Sequence, residues 1–203
     1  MRVFPCCVQR GKMRAIGFHQ QTSWKEDKFM VTSLKLRKFF CLWLTFACAL
    51  IAADQWLKMQ VVEHFYHGQA MPVTSFFNLV RAHNTGAAFS FLANAGGWQH
   101  WFFIGVAAIV VISLLVMLWH NNSQQKMASF GMACILGGAV GNVIDRIHLG
   151  YVVDYLDFYF GSAHFPAFNL ADIAICVGAG LLILNEVLQL TRPRSHKIKK
   201  ELK

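Results

Sequence analysis

Carboxylates are scarce in this sequence. Ten Asp and Glu stand against nineteen Lys and Arg in 203 residues, a formal charge of +9. Only 14% of the residues are charged, while 56% are hydrophobic and the mean hydropathy is +0.41. A soluble domain rarely tolerates that balance, because its surface must be wetted. Metal and redox signatures are missing as well. Cys6 and Cys7 are adjacent, and Cys41, Cys48, Cys134 and Cys176 sit singly in apolar runs, with no CxxC or His–Cys ligand spacing. Small buried hydrophobes are the better reading of these cysteines. There is no HExxH for a zinc protease. Gly161-Ser162-Ala163-His164 is not GxSxG and lacks an oxyanion-loop context. Internal repeats and low-complexity segments are absent too. Residues 1–36 do not read as a signal peptide, since no small-residue cleavage site follows a short apolar core.

What is present is a set of four apolar runs, at 39–56, 98–119, 127–147 and 170–190. Each approaches the roughly 20 residues that a helix needs to cross about 30 Å of hydrocarbon. The second run carries Trp98 and Trp119 at its ends, as expected at headgroup depth. The third is rich in Gly131, Ala133, Gly137, Gly138, Ala139 and Gly141, which lets helices approach closely. Those glycines do not follow a strand, so a phosphate loop is a poor account of them. The first run is interrupted by Asp54 and followed by Lys58, which puts Asp54 near an interface. Residues 59–97 are mixed, with apolar runs broken by Pro72, Asn84-Thr85-Gly86 and Gly96-Gly97. That pattern predicts a few short strands and turns, with 89–92 at the interface. The organisation expected is an N-terminal tail at 1–36, a four-span domain at 37–190 and a basic tail at 191–203. The tail is either a cytoplasmic extension or the product of a start assigned too early, with synthesis beginning at Met30.

The basic residues are concentrated in the tails. Nine of the nineteen lie before Phe39 and six after Leu190. Basic residues flanking apolar runs favour an anionic membrane face over nucleic acid. The 120–126 link carries Lys126, while the other two connections carry only Lys58, Arg81 and Arg146. The positive-inside rule therefore places both termini in the cytoplasm. Span counting then brings Asp54, Asp145, Asp154 and Asp172 to the outer interface.

Four of the ten carboxylates fall within 137–172: Asp145, Asp154, Asp157 and Asp172. Acidic groups beside lipid are expensive and usually serve a purpose. Asp154 and Asp172 are the candidate catalytic pair. One carboxylate can activate a water while the other holds a proton for the carbonyl oxygen or the leaving amine. Such chemistry needs no cofactor. The alternative is that each Asp caps a helix or pairs with a cation. Asp172 follows Asn169 at the start of the fourth span, where the helix dipole favours an anion. Asp145 adjoins Arg146 and suits an ion pair or network. Asp157 reads as one helical turn from Asp154, outside the pair. His148 and His164 read as solvated or interfacial rather than as metal ligands. A proton-relay transporter would need ionisable groups along a path, yet only Glu186 lies deep toward the other side. A scaffold subunit without chemistry is a third class.

Four blocks carry a family resemblance: Asp54-Gln55 with Lys58; FFNLVRAHNTGAAFSFL at 76–92; GGAVGNVIDRIHLGYVVDYLDF at 137–158; and FPAFNLAD at 165–172. With these blocks in order across 37–190, the chain resembles bacterial lipoprotein signal peptidase, or signal peptidase II. The resemblance implies a mainly α membrane fold of four transmembrane helices with a small extracytoplasmic β-sheet, which suits 59–97. It implies an aspartyl endopeptidase of the bacterial inner membrane, with its active site at the outer face. It implies substrates that are lipid-modified prolipoproteins, cleaved before the lipidated cysteine, in contact with membrane lipids and inhibited by globomycin. The dyad it implies is Asp154 and Asp172, with no metal and no cofactor. Asp54, Lys58, Asn84, Gly86, Asn142, Asp145, Arg146 and Asn169 match polar positions that support the structure or bind substrate. The tail at 1–36 is longer than usual in that family.

Overall fold

The computed structural model describes residues 13–86, 97–121 and 125–191, with side chains from Arg37 onward. In chain order the elements are α1 (Met13–His64), β1 (Ala70–Thr74), β2 (Phe77–Asn84), α2 (Trp98–His120), α3 (Lys126–Leu149), β3 (Val152–Phe160), β4 (Ala163–His164) and α4 (Leu170–Thr191). Among the described residues, four segments are long and apolar enough to cross a membrane: Arg37–His64, Trp98–His120, Lys126–Leu149 and Leu170–Thr191. The chain is therefore mainly α, with four membrane helices and one small sheet. The expected segment at 89–92 and the tail at 192–203 lie outside the described residues.

Helix α3 is the axis of the bundle. Two-thirds of its apolar window (67%) is buried, against 11% in each of the other spans, so the others pack around it. Its glycines make this possible. A Cβ on Gly137 would sit 2.8 Å from Leu50 of α1, and one on Gly138 would run into the Ala171 carbonyl of α4. Gly131 and Gly178 face each other across α3 and α4, each too close to the other's backbone oxygen for a methyl group. The close-packing reading of these residues holds. Away from the sheet, Ala47, Leu114, Leu118, Met132, Ala133 and Leu136 form the buried core. The outward faces stay apolar and uncovered, as at Ile109 and Ile112 of α2 and Ile183 of α4. In water such faces are aggregation sites, whereas in a bilayer they meet acyl chains.

The sheet has the order β1-β2-β3-β4 and every pairing is antiparallel. Val153 and Tyr155 pack on Val61 near the end of α1, which fixes the sheet to the bundle. Of residues 59–97, the described part supplies β1 and β2. The other half, β3 and β4, comes from the connection between α3 and α4, which the sequence reading left without strands. Asp157 consequently lies on a strand, not one helical turn from Asp154. Residues three apart on a strand point to opposite faces.

Helix α1 also departs from expectation at both ends. It continues ten residues beyond Asp54, to His64, about 15 Å at the helical rise. Asp54 therefore lies inside the helix rather than near its end. At the other end the helical backbone reaches Met13, with no break at residue 36. No Gly or Pro occurs from residue 18 to 67 to interrupt it.

Candidate active site

The start of α4 organises the site. Asn169 is the residue before the helix, and its Oδ1 accepts from the Asp172 backbone N–H at 3.0 Å. This is the side-chain cap that satisfies an otherwise orphaned amide. The same fully buried amide donates through Nδ2 to Asp154 Oδ1 at 2.7 Å. One residue thus ties the helix carrying Asp172 to the strand carrying Asp154. Tyr155 reinforces the junction, since its hydroxyl accepts from the Leu170 N–H at 3.1 Å. Burial pushes the Tyr155 phenol up to about 12, so it stays a neutral partner.

Asp154 is 2% exposed. Its other oxygen accepts from Asn84 Nδ2 of β2 at 3.0 Å. Burial, and then the nearby Asp172 carboxylate, push Asp154 up to about 7, against the pull of the Asn84 and Asn169 donors and of Lys58. Asp172 is less enclosed. Its Oδ1 accepts from Asn142 Nδ2 of α3 at 2.8 Å. Asn169 Nδ2 lies 3.3 Å from Asn142 Oδ1, so two amides bridge the two carboxylates. The pair that span counting placed on one side of the bundle does converge, through side chains from three elements.

Behind the amides is a buried ion cluster. Lys58 Nζ reaches Asp54 Oδ2 at 2.8 Å, Asp145 Oδ2 at 2.8 Å and Asn142 Oδ1 at 3.0 Å. Its three N–H donors therefore have three acceptors. Asp54 Oδ1 accepts from the Ala171 N–H, and Asp145 Oδ2 from the Val153 N–H. The cluster thereby binds α1, α3, β3 and α4 together. Asp145 does belong to a network, but its cation is Lys58, not the adjacent Arg146. Successive helical residues point about 100° apart. Arg146 instead donates to the Gly86 carbonyl at 3.0 Å and lies over the Phe103 ring at 5.4 Å. Gly86 N–H in turn donates to Asn84 Oδ1 at 3.0 Å. All eight supporting residues that the resemblance named therefore fall in one connected set with the two aspartates.

Gln55, named only as part of a matched block, and Gly141, named only as a small residue, belong to this set as well. Gln55 Nε2 donates to Asp145 Oδ1 at 2.9 Å and to the Gly141 carbonyl at 3.1 Å. Gly141 leaves room for Asp54, whose Oδ2 would lie 2.6 Å from an added Cβ. The spacing Gly137, Gly138, Gly141 was the available signal for a helix face pressed against a neighbour. Asp157 lies apart. It accepts from Asn78 Nδ2 at 2.8 Å and pairs with His164 Nδ1 at 2.9 Å. His164 is thus a strand-pinning partner at the β3–β4 hairpin.

Known proteins share this fold. Residues 46–188 match the Signal peptidase (SPase) II family. A lipoprotein signal peptidase of Cupriavidus taiwanensis is 53% identical over 155 residues, covering 76% of this chain and 86% of the relative. One from Serratia proteamaculans is 47% identical over 146 residues, covering 72% and 86%. A solved structure described as a bacterial membrane enzyme superposes with a TM-score of 0.69 at 26% identity, covering 77% of this chain and 93% of that one. A second of the same description gives 0.63 at 27% identity, covering 76% and 96%. Matched over residues 46–188, the chain belongs to the signal peptidase II family, the bacterial membrane peptidases that remove signal peptides from prolipoproteins.

Proposed function

We propose that this peptidase works by an aspartic mechanism, with Asp154 and Asp172 as the catalytic pair. The observation that carries the reading is the bridged pair itself: two carboxylates joined through Asn169 and Asn142, one of them pushed up to about 7. Asp154, the more buried, holds a proton and donates a hydrogen bond to the scissile carbonyl oxygen. Asp172 takes a proton from water and directs the hydroxide at the carbonyl carbon. The tetrahedral intermediate then expels the amine, which collects a proton from the pair. Nothing in the cycle requires a metal or an organic cofactor.

Asn84, Asn142 and Asn169 orient the carboxylates. Asp54, Lys58 and Asp145 hold the helices that carry them, and Arg146 with Gly86 faces the substrate side. The substrates are diacylglyceryl-modified prolipoproteins, cut before the lipidated cysteine. Their acyl chains remain in the bilayer beside the spans and hold the scissile bond at the depth of the pair, which supplies proximity. Loop charge puts both termini in the cytoplasm and the sheet with the active site at the outer face of the inner membrane. Residues 1–36 are a tail outside the peptidase domain at 37–190, and 191–203 are a basic cytoplasmic end. The test is cleavage of a diacylated precursor, and of the same precursor without lipid, by the purified full chain. Cleavage of the lipidated form alone, blocked by globomycin, is expected. Equal cleavage of both forms would remove the lipid from the account.

A further inference from the structure

Three rings are stacked on the far side of the strand pair from Asp154. His83 of β2 lies between His67, from the turn after α1, and Tyr151, from the segment leading into β3. Ring centroids are 3.9 Å apart at 32° for His67 and 3.7 Å apart at 20° for Tyr151. His83 Nε2 is buried and has no hydrogen-bond partner among the described residues, and the ring is held by its contacts with His67 and Tyr151.

The position of this stack matters because of what is paired beside it. In the β2–β3 ladder Ala82 opposes Asp154, His83 opposes Val153 and Asn84 opposes Val152. Opposed residues share a face and neighbours alternate. Asn84 and Asp154 are therefore on one face, and His83 is on the other. Asn84 is the last residue of β2 and Val152 the first of β3. The register also shifts between Leu79 and Ala82, just before this stretch. The pairing that brings Asn84 Nδ2 to Asp154 thus sits at a ladder end, with an irregularity behind it. Ladder ends open most readily.

We propose that the His67–His83–Tyr151 stack is a positioning clip that holds this end of the ladder, so that Asn84 stays on Asp154. The inference rests on the reading of Asp154 as one of the catalytic pair. His83 touches no reacting atom and acts through Asn84. The groups facing its ring are His67, Tyr151 and Arg81, the last of which donates to the Val62 and Phe65 carbonyls at the end of α1. Burial, then His67 and Arg81, lower His83 to about 4, so its ring remains neutral between them. A flat apolar ring could do the same work.

The test is a double-mutant cycle on the purified full chain, read as kcat and KM on a lipid-modified precursor. His83→Ala is expected to lower kcat about tenfold with KM little changed, as a misplaced group does. His83→Phe, which keeps a ring in the stack, restores most of that loss. With Asn84→Ala already present, His83→Ala costs about twofold or less, because coupled groups do not add. Unchanged kcat in His83→Ala overturns the proposal. So does failure of His83→Phe to rescue at an unchanged unfolding midpoint, and so does a full multiplicative loss in the double variant. Asp154→Asn assayed alongside separates the two ideas. An active Asp154→Asn defeats the catalytic pair, whereas an inactive one with independent His83 and Asn84 defeats the clip alone.

Discussion

Asp154 and Asp157 are three positions apart on one strand and have different partners. Asp154 is raised from 3.8 to about 7 by burial and by Asp172. The folded chain therefore holds a proton that the unfolded chain releases above pH 3.8. Stability from this group is fully present below that value and is lost as pH rises through about 7. The turnover should follow the same titration, falling about tenfold per unit above the apparent value once the acid is ionised. The check is kcat against pH, together with unfolding midpoints of wild type and Asp154→Asn at pH 5 and 8. Wild type should lose ground to the variant between those pH values. Asp157 is held by different partners. Its carboxylate pins Asn78 of β2 and His164 of β4, so Asp157→Ala leaves a buried amide unpaired at a cost of about 1–3 kcal/mol. A lowered midpoint with kcat within a few-fold of wild type is expected. A collapse of kcat at an unchanged midpoint would make Asp157 part of the chemistry.

At the scale of elements, the membrane helices were legible because apolar length is a long, redundant signal. Runs at 98–119 and 170–190 became Trp98–His120 and Leu170–Thr191. The end of α1 was not legible. Asp54 and Lys58 look like a boundary in sequence, whereas in the fold Lys58 pairs with both Asp54 and Asp145 inside the bundle. Strand β3 was missed for a related reason. Two aspartates three apart suggest a helical face, yet VVDYLDFYF is rich in β-branched and aromatic residues, the signal that decides the case. The glycine face of α3 gives the element-scale prediction. A Cβ on Gly138 meets the Ala171 backbone, next to Asp172, whereas one on Gly180 meets nothing within 4 Å. Gly138→Ala should lower the unfolding midpoint by the equivalent of about 1–3 kcal/mol, as overpacking does, and reduce cleavage as well. Gly180→Ala should be neutral or mildly stabilising, since helix interiors prefer Ala. Equal behaviour of the two variants would contradict the packing account.

At the scale of the molecule, the two carboxylates come from separate elements, β3 and α4, and meet because α3 fixes both. Asn142 of that helix holds Asp172, and Asp145 holds the backbone of Val153 beside Asp154. This convergence was foreseeable as a matter of sides, by counting spans and weighing loop charge. The amide bridge was not, because no local pattern announces a contact between residues 142 and 169. Reporter fusions at His120 and His164 should fall on opposite sides of the membrane, the first cytoplasmic. Finding both on one side would break the four-span orientation. Hydrolysis is proposed to rest on one pair of aspartates, Asp154 and Asp172. The most direct measurement is turnover of a diacylated prolipoprotein by purified Asp154→Asn, Asp172→Asn and the double variant, each at wild-type abundance. Each single variant should lose several orders of magnitude and the double should be little worse, as expected of groups acting as one unit. Near-normal turnover by either single variant, or losses that multiply in the double, would contradict the account.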